Sequence, residues 1–415
     1  MRPLLLSLLV VASLHAAEPR WWKGNLHTHS HWSDGDDYPE MIAEWYQKNG
    51  YHFLALSDHN ILSDHERWIP IAKSKGGQVA FDKYLARFGE DWVEVRGKDA
   101  DKEVRLKTLG EFRTQFEKPG QFLMVQSEEV TGRFLTAPIH INVTNIRECL
   151  MPIKGTSVFD VMQKVMNAVA AQRKRTGTPM IPHINHPNFG WALTAEEMMQ
   201  LENESFFEVY NGHPQVHNEG DETRAGTERM WDILLAERLA VLGKPPFFGL
   251  ATDDSHNYHN EPKKLSRTGR GWVMVRAKTL AVEDLIAAME AGDFYASSGV
   301  TLSDVRREKS GLAIEIKAEP GVTYTTEFIG TRKGYDRTSQ PVLGDNGATL
   351  RTTRRYSADI GTVLATVEGA SASYRLKGDE IYVRARVVST KLKADPYREG
   401  EFEQAWTQPL VTGVK

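Results

Sequence analysis

From residue 24 to about residue 298, short apolar runs alternate with amphipathic stretches, the pattern that strand and helix units leave in an α/β domain. The apolar runs predict strands at 25–27, 52–56, 122–125, 139–143, 180–184, 206–209, 247–251 and 272–275. Apolar positions at helical spacing predict helices at 39–48, 158–173, 195–201, 228–239 and 282–291. That order favours a barrel-like arrangement. The stretch from about 69 to 116 breaks it, being charged and rich in glycine, and reads as a long insertion over one face. After Gly299 the texture changes to β-branched and polar alternation, as at 312–317, 363–367 and 381–388, so a small β-sandwich is expected at 301–415 behind a first domain at 20–300.

Composition narrows the class. With 415 residues, 40% hydrophobic and 26% charged, the chain can bury a proper core, and nothing in it suggests disorder or a repeat. A net charge of −4 disfavours nucleic acid as a partner, because polyanion binding needs many cations. Met1-Arg2, the apolar run from Leu4 to Leu14 and the small residues Ala16-Ala17 resemble a signal peptide at 1–17, so a secreted or periplasmic location is expected. No other stretch is long and apolar enough for stable membrane insertion. The single cysteine, Cys149, excludes an intramolecular disulfide and is expected to be a buried thiol.

The chemistry gathers where apolar runs end. His27 and His29 in Asn25-Leu26-His27-Thr28-His29 are two apart, so strand alternation sends both imidazoles to one side. Asp34 follows in Ser33-Asp34-Gly35, and the next run ends in Ser57-Asp58-His59-Asn60. Further along come Glu128-Glu129, of which only one can face a common site, then His140, then His183-Ile184-Asn185-His186 with His186 as the favoured inward group, and finally Asp254 and His256. Each residue taken singly is compatible with a turn, a cap or a structural pair. Six successive segments placing His, Asp or Glu at strand ends point instead to one mouth where catalytic groups converge. All fourteen histidines lie at or before His259, which confines the chemistry to the first domain.

The succession H-T-H-S-H-W-S-D-G, S-D-H-N, S-E-E-V-T, H-I-N-V, N-H-P-N and D-D-S-H over residues 22–300 resembles the polymerase and histidinol phosphatase (PHP) superfamily. That resemblance implies a distorted (βα)7 TIM-like barrel holding two to three divalent ions. One would be held by His27, His29, Glu129 and Asp254, a second by Asp34, His59 and His256, and a third by Glu129, His140 and His186. Glu129 is preferred over Glu128 because Val130-Thr131 follows it as in the family pattern. The His and carboxylate donors suit Zn²⁺, Mn²⁺ or Fe²⁺. An exported chain with a β domain behind the barrel is also similar to carbaryl-hydrolase-like members.

The expected activity is therefore a metal-dependent phosphoesterase acting on a small phosphate ester, with a carbamate, ester or amide hydrolase on the same cluster as the alternative. Asp58 and Arg270 are the expected catalytic side chains beyond the ligands. Asn60, Asn185, Asn211 and Arg267 are expected to contact substrate. An amidohydrolase or deaminase fits less well, since Asp254-x-His256 stands where such enzymes want a lone late aspartate. Nuclease activity is weakened by the acidic balance, and a non-catalytic wall protein by the completeness of the ligand set.

Overall fold

The computed structural model describes residues 18–259 and 265–412, so the expected leader at 1–17 lies outside the described residues. Its spine is one mixed sheet of fourteen strands. The first part runs, in spatial order, Phe248–Thr252, Phe206–Asn211, Ile181–Ile184, Ala137–Thr144, Leu123–Phe134, Phe53–Leu56 and Arg20–Asn25. Pairing is parallel except on both sides of Ala137–Thr144. At the carboxyl ends the first and last of these segments meet. Asp254 N donates to His27 O (3.0 Å), His29 N donates to Ser255 O (2.9 Å), and Thr28 and Ser255 form a parallel bridge.

Side chains from these strands make one interior layer of Leu26, Ala55, Val125, Ile181, Phe206 and Leu250, closed from below by Phe294 and Val273. Helices cover the outside. Pro39–Lys48 starts with proline at its first turn, where no amide partner is needed, and buries Ile42, Ala43 and Tyr46 against Leu54 and Met124. Val158–Thr176 is capped by Ser157, whose side chain accepts from Asp160 N, and ends at Gly177 with φ 67°. Its stripe of Val161, Met162, Val165 and Val169 lies in the same core cluster as Ile141 and Val143, at the 3.6-residue spacing of one buried face.

The stretch expected to be an irregular insertion is ordered. Strands Arg67–Pro70, Glu103–Leu106 and Val95–Arg96 form a three-stranded sheet, and helix Gly77–Phe88 packs Phe81 and Tyr84 with Trp32, Tyr38 and Leu106. Its many charges are paired at the surface, as Arg105 with Glu94 and Glu111, which is why composition made it look loose. Helix Leu109–Phe116, opened by the Thr108–Glu111 capping box, belongs to the outer layer beside Ile42 rather than to that excursion.

The C-terminal β region is not a detached unit. Strand Phe402–Thr407 pairs with Phe294–Ser297, so the main sheet continues through Glu380–Leu392 and Tyr324–Arg332 to Thr362–Glu368. A second sheet, Leu302–Glu308, Gly311–Ile316 and Ser371–Arg375, faces it across Val305, Leu312, Ile314, Phe328, Val383 and Ala385. The tail also closes the open edge of strand Phe248–Thr252. The buried Gln408 amide accepts from Gly249 N (2.9 Å) and donates to Gly249 O (2.8 Å), and Trp406 stacks on Tyr210 at 5.7 Å. Gln408→Ala strands one buried N–H and one buried carbonyl, so a loss of about 2–3 kcal/mol is expected, read as a lower urea midpoint with unchanged far-UV circular dichroism. No helix among the described residues is long and apolar enough to cross a membrane.

Candidate metal centre

Six imidazoles and three carboxylates meet above the interior layer: His27, His29 and Asp34 from the segment after Arg20–Asn25, His59 after Phe53–Leu56, Glu129 and His140 from within Leu123–Phe134 and Ala137–Thr144, His186 after Ile181–Ile184, and Asp254 and His256 after Phe248–Thr252. Glu129 is the hub. Its Oε2 lies 3.2 Å from His27 Nε2, 3.1 Å from His29 Nε2 and 3.1 Å from His59 Nδ1, while Oε1 lies 2.8 Å from His140 Nδ1. Asp254 Oδ1 is 3.2 Å from His27 Nε2 and 3.3 Å from His29 Nε2, and its Oδ2 is 3.9 Å from His186 Nε2. Asp34 Oδ1 draws in His256 Nε2 (3.3 Å), His59 Nε2 (3.6 Å) and His29 Nδ1 (3.7 Å). All nine residues expected as ligands are thus in one cluster, and their donor atoms fall into overlapping sets able to hold cations: His29, Asp34, His59 and His256; His27, His29 and Glu129; His27, His186 and Asp254; Glu129, His140 and His186.

The chain accepts local strain to make this arrangement. Asp254 has φ 50° and His186 φ 21°, a region side chains other than glycine seldom occupy. Asp254 is held there by its amide bond to His27 O, and His186 by its amide donating to Glu208 Oε2 (2.8 Å). In the loop after His29, an added Cβ at Gly35 would sit 2.5 Å from His29 O, so only glycine lets Asp34 turn back over the cluster.

Electrostatics show what the cluster lacks. Burial pushes the imidazoles of His27 and His29 down, but Asp254, Glu208 and Glu129 overcome it, holding His27 well above its ordinary range and His29 at about 10. Burial likewise pushes Glu129 up, and His59, His27 and His140 hold it well below the usual carboxylate range. His59 and His186, where burial dominates, fall to about 4. His27 Nε2 and His29 Nε2 lie 3.1 Å apart, and His29 Nδ1 is buried with no hydrogen-bond partner among the described residues. Imidazole lone pairs and carboxylates crowded so closely suit divalent cations.

The other expected aspartate and asparagines lie around the cluster and hold its parts in place. Asp58 is not aimed at the cluster: its two oxygens accept from Ser30 N (2.8 Å), Ser30 Oγ (2.7 Å) and Ser33 Oγ (2.6 Å), which ties down the loop carrying His29 and Asp34. Asn60 pairs with the backbone of Thr131, accepting from its N and donating to its O, and so sets the strand beside Glu129. Asn185 donates to Glu129 Oε1 (2.9 Å) and Asn211 to Glu208 Oε2 (2.7 Å) and Asp254 Oδ2 (3.1 Å), so both orient carboxylates. The buried guanidinium of Arg270 donates to the carbonyls of Asp395, Gly212 and Leu265, and Arg267 Nε lies 3.2 Å from Asp395 Oδ2. Both arginines join the loop before Trp272 to the C-terminal region.

Glu208 escaped the sequence reading. It sits mid-strand in Phe206–Asn211, fully buried, with Oε1 accepting from His27 Nδ1 (2.7 Å) and Thr252 Oγ1 (2.7 Å), and with His183 Nε2 at 3.5 Å. A carboxylate inside an otherwise apolar strand was the signal. Glu128 was expected to be solvated or ion-paired; it is buried on the opposite face, accepts from Leu150 N (2.9 Å) and Cys149 Sγ (3.3 Å), and burial raises it to about 7. Cys149 itself is exposed rather than buried, because it lies in the turn after Ala137–Thr144; its thiol is pushed up to about 12 by partial burial and by Glu128.

No protein-family model and no curated protein matches the chain. Among solved structures it aligns with a two-domain protein from Bacteroides vulgatus containing a predicted PHP-like metal-dependent phosphoesterase, at 13% identity over 94% of this chain and 95% of that one, with a TM-score of 0.41. A protein from Bifidobacterium adolescentis named as a metal-dependent phosphoesterase aligns at 11% identity over 59% of this chain and 91% of its own, TM-score 0.31. An amidohydrolase from Chromobacterium violaceum, solved with sulfate and without metal, aligns at 13% identity over 59% and 90%, TM-score 0.30.

Proposed function

We propose that the chain is a metal-dependent phosphoesterase that hydrolyses a small phosphate ester at a cluster of two to three divalent ions. The observation that carries this reading is the position of Glu129, whose two oxygens stand within 3.2 Å of nitrogens on His27, His29, His59 and His140. No ordinary structural role gathers that many imidazoles around one buried carboxylate. Divalent cations held by these residues would supply Lewis acidity to polarise the ester and to activate water at neutral pH. The seven strands from Phe248–Thr252 round to Arg20–Asn25 are read as a closed, distorted barrel, supported by the bridge between Thr28 and Ser255.

The chain's own residues prepare the site. Asp58 anchors the loop so that His29 and Asp34 face inward, Asn185 fixes the plane of the Glu129 carboxylate, and Glu208 holds His27 with Nε2 presented to the mouth. Hydrolysis forms a bond from water oxygen to phosphorus, breaks the ester P–O bond, and returns a proton to the departing alkoxide. Glu208→Gln keeps the shape but offers a weaker acceptor to His27 Nδ1. Metal affinity is expected to fall about 10–100-fold, read by chelator competition, and stability to fall as well, because the new amide nitrogen faces two buried donors that the carboxylate oxygen accepted from.

The reading is tested with protein stripped by chelator and reloaded with Zn²⁺, Mn²⁺ or Fe²⁺, assayed on p-nitrophenyl phosphate, its diester and an aryl carbamate. Phosphate turnover that needs the metal supports it. Strongest turnover of the carbamate would move the substrate class to the carbonyl esters and amides that the same water attack can serve.

A further inference from the structure

A cavity of about 830 Å³ opens beside the cluster, between the hairpin of strands Leu123–Phe134 and Ala137–Thr144 and the loop at 152–155. Two of its lining residues belong to the site already described: His140, 2.8 Å from Glu129, and Thr131, whose Oγ1 lies 2.5 Å from His59 Nδ1. Phe134, Leu135, Pro138, Pro152 and Ile153 give the wall an apolar stretch. Phe189 extends that wall across the mouth, its ring 5.8 Å from His140 and 5.1 Å from His186.

The charge of this cavity is one-sided. Arg133 and Lys154 line it and no aspartate or glutamate does. Most other cations near the mouth are paired, as Lys75 is with Asp34, yet neither Arg133 nor Lys154 has a carboxylate within ion-pair distance among the described residues. Arg133 and Lys154 are both exposed at the rim, and two such cations without a carboxylate partner beside an apolar wall favour an anion attached to a greasy body: the body removes apolar surface from water while the charge meets guanidinium and ammonium at the rim. The phosphate that reacts is accounted for by the cluster, so this negative charge is a second one.

Resting on the phosphoesterase reading, we propose that this cavity receives the leaving-group half of the substrate, and that this half is an apolar, ring-sized moiety bearing its own anionic group. Leu135, which is 79% exposed, is then covered by bound substrate rather than wasted at the surface.

The metal-reloaded full chain is assayed on 2-naphthyl phosphate and on the same ester carrying a ring carboxylate. The carboxylated ester is expected to be favoured at least tenfold in kcat/KM, chiefly through KM, and the Arg133→Ala/Lys154→Ala double variant to bring that ratio to about one. A ratio near one in the unmutated protein, or a preference that survives the double variant, overturns the proposal. Binding of 2-naphthoate, followed by calorimetry, gives a readout without turnover. It is expected to weaken at least tenfold in the double variant and several-fold in Phe189→Ala, and equal binding by all three proteins likewise overturns it. Binding that depends on Arg133 and Lys154 in a protein inert on every phosphate would sink the phosphoesterase reading while leaving an anion-reading cavity in place.

Discussion

Glu129→Gln is expected to lower turnover by on the order of a thousandfold and to release metal, while the protein stays folded. The change replaces one oxygen by an amide nitrogen that cannot ligate, at the position shared by His27, His29, His59 and His140. Loss of an outer orienting partner costs about 10–100-fold, and loss of a shared ligand removes more, because two donor sets fail together. The fold does not depend on this carboxylate. The interior layer of Leu26, Ala55, Val125 and Leu250 lies below it and is untouched. Metal content, kcat/KM and far-UV circular dichroism measured on one preparation check the three parts; full activity in the variant would refute the hub role.

The largest effect on stability is expected at Asp232, where helix Thr227–Glu237 meets the C-terminal region. Arg384 is 1% exposed there, its Nε and Nη2 donating to Asp232 at 2.8 and 2.7 Å, with Tyr382 Oη adding a third bond at 2.8 Å. Asp232→Ala leaves a buried guanidinium with only Glu228 at 3.2 Å, a partner on the solvent side. Breaking a buried pair in this way costs about 3–5 kcal/mol. Replacing both partners by apolar residues of similar shape, Asp232→Leu with Arg384→Met, is expected to recover much of that loss, since it removes the unpaired charge as well. Urea unfolding followed by tryptophan fluorescence reads both, and a single variant as stable as the parent would show the pair to be bystander polarity.

Most of the clustered residues were legible because they sit where an apolar run stops, although Glu129 and His140 lie inside their strands. Strand periodicity places His27 and His29 on one side, and in an α/β sheet the run's end is where side chains leave the core for the mouth. Helix Pro39–Lys48 was legible to the residue, because proline opens it and its apolar spacing is strict. Asp58, Asn60, Asn185 and Asn211 were recognised as neighbours of the site, but the partners they bond to were not legible. Whether a polar side chain faces substrate or a neighbouring backbone depends on which segment packs opposite, and for Asp58 that is the Ser30–Ser33 loop nearly thirty residues earlier. The partners of Arg270 were hidden for the same reason: carbonyls that it bonds come from Gly212, Leu265 and Asp395. The continuity of the main sheet into the C-terminal region was hidden because it rests on the pairing of Phe294–Ser297 with Phe402–Thr407, more than a hundred residues apart, and local pattern carries no trace of such a register.

The claim on which the rest stands is that the cluster around Glu129 holds divalent cations. Elemental analysis of the full chain, purified without chelator and again after stripping and reloading, tests it directly. The account predicts two to three equivalents of Zn²⁺, Mn²⁺ or Fe²⁺ per chain, falling sharply in Glu129→Gln and Asp254→Asn. Less than half an equivalent after reloading, or the same content in those variants as in the parent, would contradict it.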